Sequence, residues 1–347
     1  MSSSPILQVI WAFGSYVFVL QYFHMKNNIC VIGGATWDAL FTTSKAALLP
    51  NRSMQQKFLA FPYGGKVDAD DVIYGFGGGA ANASVGLARL GLNTAIITRV
   101  GKDWRGQEVV KNLQANKVIT KNVQVDSKET TALSFIVTTG GAHDHVAFVS
   151  RGSTSNLQLP TQISKEFNWF YITSLATKDW NVKLLQLFKN CKKSNQQIFW
   201  NPGARQFTNN KALKKLLPYV AILDLNKEEA ELVARDLKLK YVGVVGLLKA
   251  LHKIGPEGVL ITDGANGAYF YDGQKVHYQK SYRITPINTT GAGDGFGCGF
   301  LAGYLQSNKN VAEGLQWGML NSSSVIMHSG PQKGLLTVSQ LKKFIYK

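Results

Sequence analysis

The chain has 347 residues, of which 45% are hydrophobic and 17% charged, and its formal net charge is +17. This composition fits one large α/β domain or two ordinary ones, and it excludes a disordered chain. Three cysteines without CxxC or HExxH patterns argue against a disulfide framework and a zinc site, and we expect a reducing, cytoplasmic location.

The positive charge is spread along the chain. Lysines recur in ones and twos, as at 192–193 and 342–343. Nucleic-acid-binding proteins cluster their basic residues on one face, so we expect a solvated basic surface and no nucleic-acid partner. A basic balance still favours phosphorylated small molecules as ligands.

Residues 1–25 form an apolar extension that differs from the rest of the chain. The stretch PILQVIWAFGSYVFVLQYFHM contains no lysine or arginine, which argues against a signal peptide. It is nearly long enough for a membrane anchor. A start of translation at Met25 also explains the pattern, and we favour it over membrane attachment.

Apolar runs alternate with segments of helical spacing after residue 26. The runs are ICVIG, TAIITRV, NWFYITS, QIFWNP, VAILDLN and GVLITDG, and the helical segments include AANASVGLARLG, GQEVVKNLQAN, NVKLLQLFKN and KEEAELVARDL. Strand–helix alternation predicts a mostly parallel central sheet with helices on both faces.

Two regions interrupt this alternation. Residues 39–75 and about 129–151 contain β-like runs such as ALSFIVTT and HVAFVS without helices between them. They predict an antiparallel flap added to the sheet.

A glycine-rich entry to a helix spans residues 75–91, GFGGGAANASVGLARLG. Asn82 offers a donor and an acceptor that suit polyol hydroxyls. Upstream, Asp38 follows the first strand, where ligands of α/β sheets bind, although it could equally be an ordinary loop aspartate. Taken alone, Gly75, Gly77 and Ala80 also match a dinucleotide-binding pattern.

The segment NKEE follows another predicted strand. Asn226 and Glu229 stand three residues apart on one helix face, and they could hold Mg²⁺ through water molecules. A capping box at the start of the helix explains the same pair equally well.

The stretch INTTGAGDGFGCGFLAGYL places glycines and Asp294 at the start of a predicted helix. Glycines let backbone N–H groups converge on an anion, and the helix N-terminus favours negative charge. A carboxylate at this place can accept the proton of a hydroxyl that attacks a phosphate. The alternative is that Asp294 only caps the helix.

NTTGAGDGFGCGF resembles the C-terminal signature of the ribokinase-like, or PfkB, carbohydrate kinases, and GGGAANASVGLARLGLNTAIITRVGKDWRGQEV resembles their N-terminal signature. The likeness covers residues 26–347. It implies a three-layer α/β ribokinase-like fold with a mostly parallel central sheet and a small β-lid, at about residues 39–75 and 129–151. It also implies ATP-dependent phosphorylation of a hydroxyl on a sugar or related alcohol.

The resemblance assigns roles to individual residues. It implies that Asp294 is the catalytic base and that Gly291, Ala292 and Gly293 complete an anion hole. The substrate-binding positions that it implies are Asp38, Gly78, Asn82 and Arg151. The positions that it implies for ATP and Mg²⁺ are Asn226, Glu229, Thr262, Gly264, Gly267 and Asn321.

Two departures from the family pattern affect the expectations. Asn288 replaces an aspartate that lies near a monovalent-cation site in many members, so we expect weak or absent activation by K⁺. Gly79 replaces a lysine of some ribose-specific members, so ribose is not assumed as the substrate.

Two alternative functions stay open from the sequence. A nucleoside kinase of the adenosine type is the alternative within the family. An NADP-dependent oxidoreductase would use Gly75, Gly77 and Ala80, with Arg99 near the 2′-phosphate, but it leaves NTTGAGD without a role. The resemblance also allows a homodimer that forms through the lid.

Overall fold

The computed structural model describes residues 27–51, 56–139, 145–162 and 164–345. The strands, in chain order, are β1 (Asn28–Ile32), β2 (Thr36–Thr43), β3 (Ala47–Asn51), β4 (Gln56–Ala60), β5 (Asp71–Gly77), β6 (Asn93–Ile97), β7 (Arg99–Gly101), β8 (Gln124–Asp126), β9 (Leu133–Thr139), β10 (His145–Ser150), β11 (Trp169–Ile172), β12 (Gln197–Trp200), β13 (Ile222–Asn226), β14 (Gly258–Thr262), β15 (Ala268–Tyr271) and β16 (Val276–Gln279).

The helices pack mainly on the two faces of the central sheet. They are α1 (Gly79–Arg89), α2 (Trp104–Ala115), α3 (Trp180–Lys193), α4 (Ala204–Phe207), α5 (Asn210–Leu216), α6 (Lys227–Asp236), α7 (Gly243–His252), α8 (Ala292–Gln306), α9 (Val311–Ile326) and α10 (Val338–Ile345).

The central sheet has the strand order β16-β15-β14-β13-β12-β11-β1-β6. The pairs from β6 to β14 are parallel, and β15 and β16 add two antiparallel pairs at one edge. Two apolar clusters cover its faces: one includes Ile29 and Phe300, and the other includes Ile172 and Trp200. The predicted α/β fold with a mostly parallel sheet is confirmed.

A smaller sheet of order β10-β9-β2-β5 lies apart from the central one. The expected antiparallel flap is wrong for one pair of strands: β10–β9 and β2–β5 are antiparallel, but β2 and β9 pair in parallel. These two strands are far apart in sequence, and the long connection between them permits a parallel pair. The function of this sheet as a lid, and the domain limits, stay predictions.

Helices α8 and α9 pack with almost no space between their backbones. A methyl group on Gly299 would lie 2.8 Å from the Trp317 carbonyl oxygen and 2.9 Å from the Gly318 Cα. The glycines in the second half of α8 therefore allow a close helix–helix approach that alanine would prevent.

The proposed N-terminal extension, residues 1–25, lies outside the described residues. Across the parts of the chain that are described, no helix is both long enough and apolar enough to cross a membrane.

We predict that Gly299→Ala lowers the free energy of unfolding by about 1–3 kcal/mol, because overpacking outweighs the better helix propensity of alanine. Gly246→Ala in α7 is the matched control, since its methyl group would find its nearest neighbours at 3.6 Å. Urea unfolding of both variants measures the effect. Equal stability of Gly299→Ala and the native protein would contradict the close-packing argument.

Candidate active site

The N-terminus of α8 forms a backbone cradle. Gly291 precedes the helix with a φ of 80°, which favours glycine. The N–H groups of Ala292 and Gly295 bond to the carbonyls of Thr289 and Gly291. Among the described residues, the intervening N–H groups of Gly293 and Asp294 have no hydrogen-bond acceptor, so both are free to bind an anion.

Asp294 lies in the first turn of α8, next to the N-terminus of α1. Asn82 Nδ2 donates a hydrogen bond of 2.8 Å to Asp294 Oδ2. Burial raises the pKa of Asp294, the hydrogen bond from Asn82 lowers it, and the charge of Asp38 raises it. Asp294 does not act as the N-cap, which is Gly291.

Asp38 approaches Asp294 from the small sheet. It lies within β2 and not in a loop after β1, and it is only 7% exposed. Thr36 Oγ1 donates to Asp38 Oδ1 at 2.6 Å, and burial raises the pKa of this carboxyl group. A methyl group on Gly77 would overlap Asp38 Oδ2. Gly78, with a φ of 86°, then caps α1.

A pocket of about 510 Å³ opens beside this helix N-terminus. It is bordered by carboxylates, carboxamides and the glycines of the cradle, and no lysine or arginine borders it among the described residues. Its lining residues are Asn201, Asp224, Asn226, Glu229, Thr262, Gly291, Gly293 and Asp294. Part of the sequence-predicted site therefore meets at one place.

Asn226 and Glu229 form a capping box and also border this pocket. Asn226 Oδ1 accepts from the Glu229 N–H at 2.8 Å, and Glu229 Oε2 accepts from the Asn226 N–H at 3.0 Å. The capping-box and Mg²⁺-site interpretations of NKEE are thus compatible, because the capping box uses Oε2 of Glu229 and not Oε1.

Burial raises the pKa of Glu229, and also that of Asp224, which is 3% exposed. The negative charge of Asp294 raises both further. Three carboxyl groups thus face a pocket without a cationic side chain in its lining. Such a pocket accepts a phosphate group only together with added positive charge.

The turn after β14 contains the other predicted nucleotide-binding residues. Thr262 borders the pocket, whereas Gly264 and Gly267 lie in the turn that follows, with φ values of 50° and 100°. The Asp263 N–H bonds to the Gly267 carbonyl and closes this turn.

Asn321 and Arg151 do not border the pocket. Asn321 is fully buried, and its amide bonds to the Gly295 carbonyl and the Leu336 N–H. It therefore supports the first turns of α8, and its place near a nucleotide stays a prediction. Arg151 follows β10 and is mostly exposed. The partial burial of its side chain and the charge of Arg205 lower its pKa.

A second pocket, of about 820 Å³, lies between the small sheet and the loop after α9. Asp38, Leu40, Ile73 and Ile136 border it from the small sheet. On the opposite side it is bordered by Asn288, Thr290 and residues 329–333.

Asp224, which borders the pocket, and Gln332, which contacts Asn82, were not among the residues predicted from the sequence. Asp224 had a detectable signal, since an acidic residue in the apolar run VAILDLN is unusual in a buried strand. Gln332 had no local signal, because its position depends on how the loop after α9 folds back on α1.

The dinucleotide interpretation of Gly75, Gly77 and Ala80 is wrong. Gly75 and Gly77 belong to β5 of the small sheet and not to a central strand. Arg99, which was to bind the 2′-phosphate, is paired with Asp126 at 2.9 Å.

Comparisons with known proteins address the family and the fold. The profile of the pfkB family carbohydrate kinases matches residues 29–338. A ribokinase of Haemophilus influenzae is 26% identical over 276 residues, which cover 78% of this chain and 87% of the relative.

Two solved structures share the fold. The structure of Arabidopsis thaliana ribokinase complexed with ribose and ATP has a TM-score of 0.76 at 19% identity, over 93% of this chain and 100% of that one. A nucleoside kinase of Methanocaldococcus jannaschii has a TM-score of 0.74 at 20% identity, over 92% and 98%.

We predict that Asp38→Asn lowers the pKa of Asp294, because it removes a nearby negative charge, and that Asn82→Ala raises it, because it removes a donor to the ionised form. A pH titration of the Asp294 side-chain carbon by NMR, assigned with Asp294→Asn, measures both shifts. Asp236→Asn at the far end of α6 is the control. Identical titration curves in all variants would contradict the described surroundings of Asp294.

Proposed function

The chain belongs to the pfkB family of carbohydrate kinases, and we propose that it transfers the γ-phosphoryl group of ATP to one hydroxyl of a sugar or nucleoside. The observation that carries the proposal is the half-buried carboxylate of Asp294 beside free N–H groups at the start of α8. This arrangement combines a proton acceptor with an anion site, which phosphoryl transfer to an alcohol requires.

The acceptor binds between the small sheet and α1 in this proposal. Asp38 accepts a hydrogen bond from one hydroxyl, and the Gly78 backbone borders the same place. Asn82 uses one hydrogen of its amide for Asp294, and the second is available for the acceptor. Arg151, at the end of β10, contacts the acceptor only if the small sheet closes.

The reaction needs one proton transfer and one exchange of P–O bonds. Asp294 accepts the proton of the attacking hydroxyl, whose oxygen forms a bond to the γ-phosphorus while the bond to the β-phosphate oxygen breaks. The N–H groups of Gly293 and Asp294, with the Gly291–Ala292 turn, stabilise the negative charge on the transferred group.

The residues of the pocket fit a hydrated magnesium ion. Carboxylate and carboxamide oxygens of Glu229, Asn226 and Asp224 are the donors that Mg²⁺ prefers. Among the described residues no three acidic, histidine or cysteine side chains are arranged to hold a metal ion, which favours binding through water. When bound, Mg²⁺ neutralises the phosphates of ATP against these carboxylates. Thr262 and the turn with Gly264 and Gly267 adjoin the nucleotide side.

A nucleoside is the second candidate acceptor. The apolar side chains of Leu40, Ile73 and Ile136 border the larger pocket together with Asp38. This combination would give a base an apolar surface and a ribose hydroxyl a carboxylate partner. A free sugar would use only the polar part of this pocket, beside Asp38.

Activation by a monovalent cation is proposed to be weak. Asn288 is 8% exposed, and its Oδ1 accepts from the Thr290 N–H at 2.7 Å. The only oxygen of the side chain thus already accepts one hydrogen bond in this turn, and an amide lacks the charge that would hold K⁺.

A cytoplasmic location and a homodimer through the small sheet also stay proposals. Tyr74 and Phe148, on the face of this sheet that carries Ala39, are 62% and 60% exposed. Exposed apolar side chains on one face support a protein contact there.

We predict that Asp294→Asn lowers turnover by about 10²–10⁴-fold, since general-base catalysis has this magnitude. ATP affinity, measured by calorimetry, should stay within a few-fold of native. Asp236→Asn is the matched control and should keep full turnover. Turnover of Asp294→Asn within a few-fold of native would show that Asp294 is not the base.

We also predict that Glu229→Gln raises the Mg²⁺ concentration for half-maximal turnover by about tenfold, a usual effect of losing a group that orients a bound metal. Glutamine keeps the capping box, so stability should change little. The exposed neighbour Glu228 supplies the control, Glu228→Gln. An unchanged Mg²⁺ dependence would remove Glu229 from the metal site.

A further inference from the structure

A chain of side-chain carboxamides connects Asp294 with Arg89, a half-buried arginine at the other end of α1. We call its six side chains the amide relay. The links are Arg89 Nε to Asn116 Oδ1 at 2.8 Å, Asn116 Nδ2 to Asn112 Oδ1 at 3.4 Å, Asn112 Nδ2 to Gln332 Oε1 at 2.8 Å, Gln332 Nε2 to Asn82 Oδ1 at 3.0 Å and Asn82 Nδ2 to Asp294 Oδ2 at 2.8 Å.

The two ends of the amide relay fix the direction of every hydrogen bond. An arginine can only donate, and an ionised carboxylate can only accept. Arg89 thus orients Asn116, whose Nδ2 donates to the Asn112 main-chain carbonyl at 2.8 Å as well as to Asn112 Oδ1 at 3.4 Å. Ionised Asp294 orients Asn82, Gln332 and Asn112, each with its nitrogen toward Asp294. This direction follows from the chemistry of the ends, so it does not depend on how the amide atoms are assigned.

The relay is shielded from water where it approaches Asp294. Asn82 and Gln332 are 3% and 7% exposed. In such surroundings hydrogen bonds are stronger and polarise one another. A carboxamide of Asn82 turned the other way would place its oxygen against the carboxylate and leave buried donors of Gln332 without a partner, which is unfavourable.

Arg89 is anchored without a carboxylate partner. Its Nη1 donates to the carbonyls of Gln332 at 2.8 Å and Leu335 at 3.0 Å. No acidic side chain lies within 4.0 Å of its guanidinium in the described parts of the chain. Burial lowers the pKa of Arg89. The arginine thus holds the loop of Gln332 against α1.

We propose that Gln332 is a positioning residue for Asp294, acting through Asn82 and oriented by Asn112 and Arg89. The proposal rests on the function proposed above, in which Asp294 takes the acceptor proton. The relay holds Asp294 Oδ2 on the Asn82 amide and leaves Oδ1 as the oxygen that receives this proton. Loss of Gln332 frees the Asn82 amide to rotate and the carboxylate to leave its place.

Two substitutions of Gln332 break its link to Asn82. Gln332→Met keeps the volume and removes both hydrogen bonds, while Gln332→Glu still accepts from Asn112 but cannot donate to Asn82 when ionised. With D-ribose and adenosine as acceptors, kcat should fall about tenfold in both variants, because a misplaced catalytic group costs one to two orders of magnitude. The KM for ATP should stay within twofold.

A substitution at Asn112 tests whether residues farther along the relay also influence kcat. Asn112→Leu should lower kcat about threefold in the native protein and should have no further effect in Gln332→Met, since the link that it supports is already lost. If Asn112→Leu lowered kcat by the same factor in Gln332→Met as in the native protein, the relay would be contradicted.

The control is a second buried glutamine. Gln196 is 7% exposed, and its Nε2 donates to the carbonyls of Ser164 and Phe167, away from the active site. Gln196→Met should lower the melting temperature and leave kcat unchanged. A native kcat in a folded Gln332 variant overturns the proposal, and if Gln332→Met does not fold, Gln332→Glu decides.

A crystal structure of Gln332→Met provides a readout without an acceptor. We expect the 2.8 Å hydrogen bond between Asn82 and Asp294 to be lost or rotated, and an unchanged bond would overturn the relay. The outcomes separate the two proposals. An active Asp294→Asn variant would reject the proposed base, whereas an inactive Asp294→Asn beside a fully active Gln332→Met would reject the relay alone.

Discussion

The active site depends on a carboxylate held where an anion must also bind. Asp294 stands in the first turn of α8, beside the free N–H groups that attract negative charge. Burial and Asp38 favour its protonated form, whereas Asn82 favours the ionised form that can accept a proton. The hydrogen bond from Asn82 therefore opposes the effects of burial and of Asp38 on the pKa of Asp294, which stays raised.

Close backbone approach brings these groups together. A methyl group on Gly77 would overlap Asp38, and one on Gly78 would collide with the β1–β2 turn. A methyl group on Gly79 would make tight contacts, at 3.1 Å from Thr173 and 3.3 Å from Asp294 Oδ1. The glycines of α8 let α9 lie against it. Weaker helix propensity is the cost of this arrangement, and the dense packing around α8 offsets it.

The sequence predicted the central sheet because its buried strands are continuous apolar runs between amphipathic helices. It also predicted that a helix starts at the Gly291–Asp294 run, because TTGAGD precedes a segment of helical spacing. The role of this run in binding an anion stays a prediction. It could not predict the parallel pairing of β2 with β9 or the contact of Gln332 with Asn82. Both join residues far apart in the chain, and neither leaves a local pattern.

The most direct test of the proposed function is transfer of ³²P from γ-labelled ATP to a panel of pentoses, hexoses and nucleosides, with the product analysed by chromatography. We expect the label to appear in a phosphate monoester of one acceptor class, and its formation to require Mg²⁺. Label found only in inorganic phosphate, at a rate that no acceptor changes, would contradict the proposed function.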